Sequence, residues 1–129
     1  MNELKIDATD STPQVTLDKN SGTFIIKGKS FPEESRSFYA PIQDWMEEYE
    51  KEPNAETRFE FKMEYFNSSS SLIILEILNI LDSIYKSGKK VTVSWNHLEI
   101  HDDMLDAGEE YAELVSVPFE FHALAEADF

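Results

Sequence analysis

The sequence has no cysteine. Disulfides, thiolate metal sites and cysteine nucleophiles are therefore excluded. The absence suits a reducing compartment. Glycine is scarce, with four in 129 residues, and no phosphate-cradling glycine loop is present. Basic residues are few, 11 Lys and Arg against 26 Asp and Glu, for a net charge of −15. A field of that sign repels nucleic acid and anionic membranes and favours basic partner surfaces or simple solubility. No long hydrophobic run is present. The most apolar stretch, Leu72 to Leu81, is interrupted by Glu76 and Asn79 and is too short and polar to span a bilayer. Met1-Asn2-Glu3-Leu4-Lys5 lacks the basic-then-apolar pattern of a signal peptide. The expected location is cytoplasmic, with neither nucleic acid nor membrane as a partner.

What remains is the composition of one folded domain, residues 1–129, with 41% hydrophobic and 12% aromatic residues, enough for a core without staples. Residues 1–13 are polar and read as a loose lead-in. Gln14 to Asp18 and Thr23 to Lys27 read as a hairpin around Asn20-Ser21-Gly22, since Asn and Gly tolerate tight turns. Phe38, Ile42, Trp45, Met46 and Tyr49 are spaced for one helical face. That helix starts near Ser35 and bends, or starts at Pro41, where a missing N–H costs nothing. In Thr57 to Phe66, Phe59, Phe61, Met63 and Tyr65 alternate with charged residues, the period of a half-buried strand. Leu72 to Lys86 reads as a buried helix with a narrow polar stripe at Glu76, Asn79, Ser83 and Lys86, ended by Gly88. Val91, Val93 and Trp95 mark a further strand, Asp102 to Leu114 an acidic helix, and Pro118 to Ala123 a last strand with Phe119 and Phe121 on one side. The order β-β-α-β-α-β-α-β predicts an α/β sandwich with a mixed sheet.

Few constellations carry chemistry. His97, Glu99 and His101, followed by Asp102, Asp103 and Asp106, offer metal-ligand types at no stringent spacing. They read as a solvated loop and helix face, and no metal or cofactor is expected. A hydrolase needs a base held beside its nucleophile, and the serines here lack the glycines of a nucleophile elbow. Trp45 and the phenylalanines fall at core spacing rather than forming a ligand platform.

The remaining feature is Asn67-Ser68-Ser69-Ser70-Ser71, where a strand becomes a helix. Asn and Ser cap helices by accepting bonds from free backbone N–H groups. Capping alone accounts for one or two of these residues. The same N–H groups and the positive end of the helix dipole stabilise an anion. A phosphoserine carries about −1.5 to −2 charges and would oppose a partner packed against that turn. Both readings, cap and phosphorylation site, stand on the residues alone.

A set of short pieces in order bears on the choice: Ser11-Thr12-Pro13, Ser30-Phe31-Pro32-Glu33-Glu34-Ser35, Asp44-Trp45, Tyr65-Phe66-Asn67-Ser68-Ser69-Ser70, Trp95, Gly108-Glu109-Glu110-Tyr111 and Pro118-Phe119. Over almost its full length the chain resembles the SiaC family of bacterial regulatory phosphoproteins, distant analogues of the STAS-domain anti-anti-sigma factors. The resemblance implies a single STAS-like regulatory domain that is not an enzyme. It implies phosphorylation of the residue after the Asn, here Ser68 with Ser69 as the alternate, Asn67, Ser69, Ser70 and Ser71 forming the surrounding partner surface. It further implies a serine/threonine kinase of the histidine-kinase-like ATPase type, a PP2C-type phosphatase, and an effector such as a diguanylate cyclase, bound and activated by the unmodified form and linking the switch to cyclic-di-GMP and biofilm control. The family's usual residue at the site is threonine; serine keeps the hydroxyl. A glycine typical of STAS turns is missing beside Ser68. The alternatives from other classes are an anti-anti-sigma-like STAS binding module or constitutive scaffold, and a small acidic enzyme.

Overall fold

The computed structural model describes residues 1–129. Its strands are β1 (Leu4–Ile6), β2 (Gln14–Asp18), β3 (Thr23–Ser30), β4 (Glu56–Phe66), β5 (Lys90–Leu98) and β6 (Phe119–Leu124). Its helices are α1 (Ser35–Lys51), α2 (Ser68–Lys86) and α3 (Asp103–Leu114), with one 3-10 turn at Glu126–Asp128. The strands lie side by side in chain order in one six-stranded sheet. The β1–β2 and β2–β3 pairs are antiparallel, and β3–β4, β4–β5 and β5–β6 are parallel. A parallel neighbour requires a crossover, and α1, α2 and α3 supply the three. Because every crossover steps the same way along the sheet, the helices collect on one face.

The mixed α/β sandwich is thus the predicted one, with one strand more. The lead-in is not loose throughout: Leu4–Ile6 pairs with Leu17, Thr16 and Val15, and Leu4 and Ile6 pack at the margin of the core. Two inward apolar residues among polar neighbours suffice for this short edge strand.

The core lies between sheet and helices. Phe59, Phe61 and Met63 of β4, Val91, Val93 and Trp95 of β5, and Ile73, Ile74, Ile77, Leu78, Leu81 and Ile84 of α2 are all essentially inaccessible. Each such side chain contributes roughly 1.5–3 kcal/mol through burial, so α2 is pinned along its length. By length and composition this 19-residue helix would suffice to cross a membrane, because the serines extend it beyond the stretch read from sequence. Here it packs as a core helix. α1 begins at Ser35, so Pro41 sits inside it and the Ser37 carbonyl loses its usual donor. Pro41 is exposed, while Tyr39, Ile42, Met46 and Tyr49 turn inward.

The sheet's other face carries no helix. There Arg58 forms an ion pair with Glu120 at 3.0 Å and its Nη2 donates to Ser94 Oγ at 3.3 Å.

One irregularity shapes the end of the sheet where β3 and β4 finish. Gly28 is paired with Met63 and Lys29 with Tyr65, which leaves Glu64 without a partner on β3. An unpaired residue reverses the alternation that follows it. Tyr65, expected inward with Phe59, Phe61 and Met63, is therefore half exposed, at 50%. Phe66 turns inward instead, with ring centroids 6.4 Å from Trp95 and 6.2 Å from Tyr111. Gly28 has φ +121°, a conformation L side chains rarely adopt.

Candidate functional site

The site is built where β4 hands over to α2. The Asn67 N–H donates to Ser30 O at 2.9 Å, tying the turn to the end of β3. Asn67 Oδ1 accepts from the Ser70 N–H at 2.9 Å, and Asn67 O accepts from the Ser71 N–H at 2.9 Å. Asn67 is therefore the cap. The four serines form the first helical turn, which starts four residues before the expected Leu72. The Ser68 and Ser69 N–H groups are the open donors that every helix start presents.

The hydroxyls meet different fates. Ser70 is fully buried, and its Oγ accepts from Ser30 Oγ at 2.9 Å. Ser30 Oγ lies 2.6 Å from the Tyr39 hydroxyl; with the serine proton given to Ser70, Tyr39 is the donor. Burial pushes the Tyr39 phenol up to about 12, so it keeps that proton at neutral pH. Ser69 Oγ donates to Asn67 Oδ1 at 3.1 Å and lies 2.7 Å from Ser35 Oγ. Ser71 Oγ donates to Ser68 O at 2.7 Å. Ser68 is exposed, and its hydroxyl takes no part in this ladder. Of the residues named from sequence, Asn67, Ser69, Ser70 and Ser71 thus hold the turn, while Ser68 projects from it.

The surroundings are acidic. Glu33, Glu34 and Glu64 are exposed at this end of the molecule. Arg36 is committed to Glu76 across the α1–α2 seam, at 2.8 Å. That hydrogen bond, with the charge behind it, holds the Glu76 carboxyl below the usual carboxylate range despite some burial, and Gln43 assists. A groove of about 410 Å³ runs between the starts of α1 and α2, with Glu34, Ser35, Arg36, Ser69 and Leu72 in its walls.

The other candidates are dispersed. His97 is buried with its Nδ1 3.2 Å from Leu98 O, whereas Glu99, His101, Asp102, Asp103 and Asp106 are exposed. They do not converge on a cation-sized position. Trp45 is half-buried, stacked on Tyr49 at 5.5 Å, and its Nε1 donates to Asn2 O at 2.8 Å. It serves packing.

Two features escaped the sequence reading. One is the exposure of Phe31, Tyr65 and Leu72, apolar side chains on the segments flanking the turn, at 41%, 50% and 62%. Strand alternation placed Tyr65 inside; a lone glycine in a strand, Gly28, was the available sign of a bulge. The other is Asp82, a buried carboxylate on α2. Its Oδ1 accepts from the Ser116 and Val117 N–H groups at 2.8 Å each, and Lys86 lies 3.0 Å from Oδ2. It fastens the segment before β6 to the helix.

A family model described as SiaC family regulatory phosphoprotein matches residues 6–124. Apo-SiaC from Pseudomonas aeruginosa superposes with a TM-score of 0.88 at 28% identity, covering 95% of this chain and 100% of that chain. A chain in the crystal structure of the P. aeruginosa diguanylate cyclase SiaD in complex with its activator SiaC gives 0.87 at 27% identity, over 94% of this chain and 99% of that one. An uncharacterized protein of P. aeruginosa strain UCBPP-PA14 is 28% identical over 123 residues, 95% of this chain and 98% of its own length.

Proposed function

The chain belongs to the SiaC family of regulatory phosphoproteins, and from that premise we propose that it is a non-enzymatic partner-switching regulator controlled by phosphorylation of Ser68. The observation that carries the reading is the contrast within one helical turn. Ser70 is sealed inside; Ser68 and Ser69 are both exposed, but the Ser69 hydroxyl is bonded to Asn67 and Ser35, whereas the Ser68 hydroxyl is uncommitted.

The local physics suits the modification. A phosphate on the first helical residue lies beside open N–H groups and the positive end of the helix dipole. The helix is held by six buried Ile and Leu side chains, so an added dianion at its mouth leaves the packing intact. The fold tolerates the charge; a partner covering the turn does not, because a desolvated phosphate beside Glu33, Glu34 and Glu64 is costly. Modification therefore acts as a local veto on docking.

In this reading a serine/threonine kinase of the histidine-kinase-like ATPase type adds the phosphate and a PP2C-type phosphatase removes it. The unmodified form binds and activates an effector. A diguanylate cyclase is the effector class supported by the SiaC relative that activates SiaD, which would tie the switch to cyclic-di-GMP signalling in the cytoplasm. The reading is tested by co-expressing the chain with its cognate kinase, then measuring intact mass and mapping the site. One added phosphate on Ser68, absent from Ser68→Ala, is the expected result. Phosphate confined to another residue, or none on the wild-type chain, would overturn it.

A further inference from the structure

Three large apolar side chains are left in solvent on the segments that meet at the start of α2: Phe31, Tyr65 and Leu72. Tyr65, in β4, lies three residues before Ser68 in the chain, and Leu72 lies one helical turn after Ser68 on the same face of α2. The Phe31 and Tyr65 rings meet edge-on with centroids 6.1 Å apart. Phe31 is also fixed from behind, its N–H donating to Ser11 O at 2.8 Å. The bulge at Glu64 turns Tyr65 outward, so the fold spends a register irregularity on exposing an aromatic ring. Clustered exposed apolar surface marks an interaction site. Its rim carries Glu33, Glu34 and Glu64; of the cations beside it, Arg36 is neutralised by Glu76 and Lys29 stands alone.

Resting on the switch described above, we propose that Phe31, Tyr65 and Leu72 are the anchors of the effector-docking surface, and that the docked segment presents apolar side chains flanked by Lys or Arg. Apolar anchors at the centre carry most of the energy of such contacts, and rim charges set selectivity and encounter rate. A second copy of this chain fits poorly, because two molecules of charge −15 would press acidic rims together. Ser68 lies between Tyr65 and Leu72 along the chain. A phosphate there must be desolvated for docking, and rim attraction to basic residues does not offset that cost.

Isotope-labelled full-length chain, titrated with a synthetic amphipathic Leu/Lys peptide and separately with a Leu/Glu peptide of the same apolar face, tests this by NMR. The Leu/Lys peptide is expected to shift resonances around Phe31, Tyr65 and Leu72. Its affinity is expected to fall about tenfold or more in the Phe31→Ala/Leu72→Ala chain. Leu114→Ala, which alters a side chain 64% exposed on α3, should leave it unchanged, and the Leu/Glu peptide should not engage the patch. Shifts spread over the acidic surface, equal binding by both peptides, unchanged affinity in the double variant, or concentration-dependent self-association through the patch would each overturn the proposal. Site mapping after kinase treatment is an independent readout. If kinase treatment places phosphate on Ser68 but the unmodified chain fails to localise the peptide, the docking surface is defeated and the switch stands.

Discussion

Asn67 and Ser68 are adjacent residues of similar polarity with different bonding, and the proposed function gives structure to the first and signal to the second. Asn67 supplies the cap through its Oδ1, so Asn67→Ala is expected to cost about 1 kcal/mol, read as a lower midpoint in urea denaturation. Ser68 contributes no such bond. Ser68→Ala should change stability by at most about 0.5 kcal/mol, the range of an ordinary surface substitution, while removing the phosphate acceptor. If the two costs came out reversed in the same denaturation series, the assignment of cap and acceptor would be wrong. The sequence showed an Asn and four serines at a strand-to-helix junction, with Ser69 as a competitor to Ser68. Only the family resemblance put Ser68 first; the residues alone could not rank them, because the Ser35–Ser69 and Ser30–Ser70 bonds join residues 34 and 40 positions apart.

At the scale of elements, the joints between α2, α3 and the sheet rest on a few specific contacts. Burial alone would raise the Asp82 carboxyl, but Lys86 and the Val117 and Ser116 N–H groups outweigh it and hold the group below its ordinary value of 3.8. A depressed carboxylate contributes stability that is complete above its unfolded-state pKa and fades as pH falls through its lower folded-state value. Asp82→Asn should therefore be less stable than wild type at pH 7, and the gap should close below about pH 4, as followed by denaturation across pH. Asp82→Ala, which strands two backbone donors, should cost about 2–4 kcal/mol at pH 7. On α3, a Cβ added at Gly108 would sit 2.5 Å from Trp95 Nε1. That indole is fixed by its bond to Met104 O at 2.7 Å, so it has little room to yield. Gly108→Ala should destabilise by about 1–3 kcal/mol and perturb tryptophan fluorescence. An unchanged melting curve and emission maximum would contradict the packing described here. Periodicity made the three helices and the strands from β2 onward legible. It failed at β1, whose apolar residues are too few to show a period, at Tyr65, where the bulge reverses the alternation, and at the start of α2, where serines hid a helical turn inside an apparent loop.

Over the whole molecule, strands in spatial order and one-sided helices bring the ends of β3 and β4 and the start of α2 to a single edge, and the Asn67–Ser71 turn sits there. The mixed α/β sandwich followed from the order of patterned segments. The one-sidedness did not, because it depends on every crossover stepping the same way. The charge of −15 implies that docking to a basic partner weakens as salt rises. The central claim is that one phosphate on Ser68 changes the chain's partner without changing its fold. Calorimetric titration of unmodified and fully Ser68-phosphorylated chain into the proposed effector, a diguanylate cyclase, with circular dichroism of both forms, tests it most directly. The account predicts superimposable spectra and affinity reduced at least about tenfold, the equivalent of 1.4 kcal/mol, by the phosphate. Equal affinity of the two forms, or loss of binding accompanied by loss of helix, would contradict it.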